Sequence, residues 1–100
     1  MLRLVLLLVV FAVVRPAEAE PWSAARLRAL PDSAFAAIEV DPEGRPRRHL
    51  PHHDETGAVD LPHLRAALGR FSQVRWLDPA TASAARRHLE SHWQELKANR

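Results

Sequence analysis

The chain has no cysteine and no tyrosine, three glycines, and a single lysine among its 14 basic residues. Each absence closes off a class of chemistry. Without cysteine there is no disulfide, no thiolate nucleophile and no sulfur-ligated zinc site. Three glycines leave no room for a phosphate-cradling loop, and no G-x-S-x-G surrounds Ser23, Ser33, Ser72, Ser83 or Ser91, so neither nucleotide handling nor elbow-type serine hydrolysis is signalled. The basic residues are nearly all arginine, and 14 of them face 12 acidic residues. That near balance lacks the concentrated positive field nucleic-acid binding calls for, so no nucleic-acid partner is expected.

Long apolar runs are also scarce. Residues 4–14, LVLLLVVFAVV, are the one uninterrupted stretch, which is too short for a spanning helix of about 20 residues but suits the core of a secretory leader. Arg3 supplies the positive start, Arg15 and Pro16 break the run, and Ala17 and Ala19 put small residues where a signal peptidase reads. The sequence therefore predicts a signal peptide over 1–19, cleavage after Ala19, and an exported single domain over 20–100, periplasmic or extracellular, that meets the membrane only through the leader before cleavage. An uncleaved N-terminal anchor is the alternative. Removing Arg3, Arg15 and Glu18 leaves 12 basic and 11 acidic residues in the mature chain.

The mature domain has little to build a core with. It holds 18 residues of the Trp, Phe, Leu, Ile and Val types, each stabilising by at most about 1.5–3 kcal/mol when fully buried, against about 1–2 kcal/mol per ordered residue. A domain with so thin a core gains from a partner or from self-association.

Local signals predict a small α+β fold. A short helix is expected from Glu20 to Leu30, with Pro21 at its entrance, Ser23 as a capping type, and Pro31 ending it. AFAAIEV then reads as a strand, DPEG at 41–44 as a type I turn, and RPRRHL as a returning strand. Pro46 places that second strand at an edge, and Arg45, Arg47 and Arg48 are expected to keep the edge soluble. Two strands alone are marginal, so this β-hairpin must lie on helices. Asp60 caps a helix that tolerates Pro62 in its first turn, with Leu61, Leu64, Leu68 and Phe71 on one face. Gly69 weakens that helix, which suggests a close approach by another element. Asp78-Pro79 opens a last helix with Ala82, Ala85, Leu89, Trp93 and Leu96 as its stripe, expected to run antiparallel to the one before and to fray at KANR.

Several short motifs together resemble a short uncharacterised bacterial and phage-associated domain. They are LPDSAFA at 30–36, the Pro51/His53-Asp54 loop, and His63-x-Arg65-x-Ala67-Leu68-x-Arg70 with Gln73, in the order LPxSxFA, PxHD, HxRxAL and a closing helix. The likeness spans about residues 28–96. This chain departs from it in the DPEG hairpin and in TGAVDLP, inserted between His53-Asp54 and His63. The resemblance implies a shared small fold and brings no activity with it. It directs attention to His53, Asp54, His63 and Arg65 as binding residues.

Four of the six histidines lie between His49 and His63. His49 and His52 are spaced H-x-x-H, His53 adjoins Asp54, and His63 opens the next helix, so a folded loop could gather His49, His52, His53 and His63 around a divalent metal. Against this stands a solvated loop in which Asp54 makes an Asx turn. His88 and His92 also have ligand spacing, but HLESH is not H-E-x-x-H and no third ligand lies nearby, so they read as surface histidines. A chain this small offers little room for a buried reaction cleft. The expected function is thus a non-catalytic exported interaction or structural module without a cofactor, its protein partner unspecified. Divalent-metal binding by the His49–His63 loop is the alternative.

Overall fold

The computed structural model describes residues 21–99, so the expected leader over 1–19 and its cleavage site lie outside the described residues. The domain is a small α+β fold in which a two-stranded antiparallel hairpin packs against helices. Helix α1 covers Ala24–Ala29, later than the expected start, because Ser23 is the residue whose hydroxyl accepts the Arg26 N–H at 3.1 Å. Leu30 is already extended ahead of Pro31, as the ring of a following proline demands. A 3-10 turn over Asp32–Ala34 then feeds the first strand.

Strand β1, Phe35–Val40, pairs with β2, Pro46–Pro51, in the register Phe35↔Pro51, Ala37↔His49 and Val40↔Pro46. The Asp41–Gly44 turn closes on an N–H to C=O bond of 2.9 Å from Gly44 to Asp41. Gly44 sits at φ +79°, where a side chain would be strained. The Asp41 carboxylate is buried and accepts the backbone N–H groups of Glu43 and Arg45, with Arg47 beside it. Arg48 departs from its expected solubilising role. Its guanidinium lies 3.9 Å from the centroid of Phe35 and donates to the carbonyls of Leu27 and Leu30, so it turns inward and caps the end of α1.

Helix α2, Leu61–Arg70, starts where the sequence places it: the Asp60 side chain accepts the His63 N–H at 3.1 Å and Pro62 occupies the first turn. A 3-10 turn over Phe71–Gln73 follows. Helix α3, Pro79–Ala98, is capped by Asp78, whose carboxylate accepts the Ala80 N–H at 2.9 Å. Of the expected fraying tail KANR, Lys97 and Ala98 are still helical and the Asn99 N–H bonds the Glu95 carbonyl, while Arg100 lies outside the described residues. Arg65 on α2 lies over Trp93, while Arg86 lies over Phe71, so positions rise along α2 as they fall along α3 and the two helices run antiparallel.

The core is two small clusters. Leu30, Ala34 and Phe35 form one with Trp22 and Leu27 against it, and Leu64, Ala67 and Leu89 form the other, flanked by Ala36, Leu50, Val59, Leu68, Phe71 and Trp93. Glu39 fastens the link between the long helices. Its buried carboxylate accepts the N–H of Leu77 at 3.0 Å and that of Asp78 at 2.8 Å. Gly69 has open space around it, so the expected close approach there does not occur. No helix of the described residues is long and apolar enough to cross a membrane.

Candidate metal centre

The chain leaves β2 through an unusual residue. Leu50 adopts φ +58°, a left-handed conformation costly for a branched side chain, and is the described non-glycine residue that does so. Its carbonyl accepts the Nδ1–H of His52 at 3.0 Å. The backbone N–H groups of His52 and His53 both point at the Ala34 carbonyl, at 2.9 and 3.3 Å, and the Asp60 N–H returns to the His52 carbonyl at 2.8 Å. His52 is thereby held between the end of the hairpin and the cap of α2, and it is fully buried.

His53 is fixed by the loop that follows. Asp54 makes the expected Asx turn, its carboxylate oxygen accepting the N–H groups of Thr56 at 2.8 Å and Ala58 at 3.2 Å. Gly57 takes φ +86° at the apex, and its carbonyl accepts the Nδ1–H of His53 at 3.0 Å. An isolated bridge between His53 and Val59 closes the loop.

Helix α3 supplies the other half. His88 and His92 lie one turn apart, on either side of Leu89 in sequence, and that residue's burial brings both toward the loop. The Nε2 atoms of His88 and His52 are 3.2 Å apart, and those of His92 and His88 are 3.0 Å apart. One ring nitrogen from each of His52, His53, His88 and His92 falls within 4.8 Å of all the others. The rings are mutually inclined, from 51° between His52 and His53 to 84° between His88 and His92.

Tautomers decide what this cluster can do. A carbonyl only accepts, so His52 and His53 carry their proton on Nδ1 and present a bare lone pair at Nε2. The Nδ1 of His92 lies 3.7 Å from the Glu95 carboxylate, which favours a proton there as well. His88 can direct one Nε2–H at a single neighbour, so lone pairs outnumber protons at the centre. A cation accepting all four satisfies them together. Second-partner hydrogen bonds of this type are the usual companions of metal-bound histidine. A tetrahedral site with metal–nitrogen bonds of about 2.0–2.1 Å sets its nitrogens about 3.3–3.4 Å apart, close to the His88–His52 and His92–His88 separations of 3.2 and 3.0 Å.

The electrostatics also favour neutral ligands. Burial pushes the His52 imidazole down to about 4, against a weaker opposing pull from the Leu50 carbonyl, and the neighbouring histidines push the same way. Burial, with His92 and His53 nearby, lowers His88 as well. Both rings are held back from binding a proton that would compete with a metal.

This set differs from the one the sequence suggests. His52 and His53 are in it, while His49 and His63 are not. His49 donates its Nε2–H to the Glu39 carboxylate, 3.0 Å away, and tilts against Trp76. His63 bonds Asp60 and stacks on Trp22 with ring centroids 3.5 Å apart. Of the other expected binding residues, Asp54 shapes the loop under His53 and Arg65 lies over Trp93, 5.8 Å from its centroid. His88, exposed as expected, and the partly buried His92 supply the other two nitrogens of the cluster. They are 36 and 40 residues from His52, a separation no local spacing rule spans. The usable signal was that His92 falls three residues after Leu89 and so flanks the buried stripe.

Comparison with family models, curated proteins and solved structures found no match to this chain.

Proposed function

We propose that the protein is a small, non-catalytic module that binds one divalent transition-metal ion through His52, His53, His88 and His92. The observation carrying this reading is the convergence of four imidazole nitrogens from two distant segments, with the Nδ1 protons of His52 and His53 engaged by carbonyls. Four neutral nitrogens and no sulfur or carboxylate in the set suit zinc, copper or nickel in preference to magnesium or calcium. Export belongs to the same reading and is supported by the apolar run at 4–14 and the Ala17/Ala19 pair; an exported ligand set without cysteine is indifferent to an oxidising compartment.

Calorimetric titration of the chelator-treated protein with zinc is expected to give one ion per chain. His52→Ala and His88→Ala, one from each segment, should each abolish that stoichiometric binding. Absence of binding by the folded wild type, or undiminished binding by both variants, would overturn the proposal.

A further inference from the structure

The role of the ion follows from where its ligands sit, and this step rests on the metal reading above. We infer that the centre is a closed structural staple: a zinc ion coordinated tetrahedrally by all four imidazoles, which fixes α3 from His88 onward against the segment leaving β2.

Three observations point this way. First, the donors come as two pairs from opposite sides. His52 and His53 arrive on the loop, and His88 and His92 on α3, 36 residues away. An ion shared between such pairs cross-links the chain, as structural sites do, and four protein nitrogens complete the usual zinc shell without water.

Second, the apolar contacts thin out where the ligands appear. Beyond Leu89, α3 carries two large apolar side chains, Trp93 and Leu96. Trp93 packs on the Leu64 cluster, but Leu96 is 36% exposed. The last two and a half turns of the helix therefore have little to hold them other than Trp93 and the His88/His92 pair.

Third, the loop ligands are oriented by left-handed backbone, which is costly at Leu50 and permitted by glycine at Gly57. Leu50 at φ +58° and Gly57 at φ +86° aim the two carbonyls that orient His52 and His53. A centre whose ligands are oriented in advance loses little on closing around an ion, which suits retention over hand-off. A carrier would instead leave a coordination position open for exchange.

The test combines cobalt substitution with amide hydrogen exchange on the full folded protein. Cobalt(II) should give the strong visible absorption of a tetrahedral centre, and stoichiometric zinc should bleach it. Zinc should also slow exchange at the α3 amides from His88 to Ala98 by about tenfold or more, with a smaller change in α2. His53→Ala and His92→Ala alter ligands that are only partly buried, so these variants are expected to fold, and both should lose the α3 protection. If zinc binds one to one but cobalt absorbs weakly, as a six-coordinate ion does, the staple is overturned while the metal reading stands. Unchanged α3 exchange on zinc binding overturns it equally. If no ion binds at all, both readings fall.

Discussion

At the scale of single residues, Glu39 shows how one carboxylate can organise a connection. Burial pushes its pKa up, but the Leu77 and Asp78 N–H donors and His49 together outweigh that, and the group ends below the usual carboxylate range. A folded-state pKa below the unfolded one means stability that is complete above about 4.5 and is lost as pH falls through the folded value. Glu39→Gln should cost about 1–3 kcal/mol near neutral pH, read as a lower urea midpoint, with the gap from wild type closing in acid. An equal midpoint near neutrality would show that the carboxylate does not hold the link. His52 titrates in the same sense at higher pH. Its folded pKa of about 4 lies below the ordinary 6.5, so the metal-free fold should weaken as pH drops from about 6.5 toward 4 and level off below that. Urea melts in chelator across that range would check it, and a flat profile would count against the buried, neutral imidazole.

Among the elements, those that the sequence made legible are the ones written in a few adjacent residues. Ser23, Asp60 and Asp78-Pro79 name their own helix starts, and DPEG names its turn, because cap and turn chemistry is satisfied within four or five positions. The inward turn of Arg48 is not legible locally because its partners, the Leu27 and Leu30 carbonyls, lie 21 and 18 positions upstream. The four-histidine cluster was half legible for the same reason. His52 and His53 stood out in a histidine-rich stretch, whereas His49 and His63 shared that stretch but turned to Glu39 and Asp60 instead. Gly69 gives an element-level prediction. It is exposed, helical and unobstructed, so Gly69→Ala should stabilise α2 by about 0.5–1 kcal/mol, seen as a raised denaturation midpoint. Leu89→Ala, by contrast, empties a fully buried position between α2 and α3 and should cost about 2–5 kcal/mol, enough to lose cooperative unfolding in the metal-free chain.

The molecule as a whole combines modest apolar burial with one proposed long-range cross-link, the His52/His53–His88/His92 centre. Val40 is 66% exposed and Leu77 50% exposed, so apolar side chains already few in number are not all spent inside. Stability should accordingly depend on the ion. With zinc at about a hundred times its dissociation constant, linkage adds about 2.7 kcal/mol, which for a domain of this size corresponds to a rise of about 10–20 °C in Tm. Thermal melts with zinc and with chelator would measure it, and a shift that persisted in the His52→Ala, His88→Ala double variant would place the effect elsewhere on the surface.

The spacing of the two histidine pairs sets an order of events. His88 follows His52 by 36 residues, and α3 cannot dock before Leu89 is present. A chain made only as far as the loop offers two of the four imidazoles. On the proposed reading a complete shell exists only after α3 has docked, so a retained ion would report that docking step.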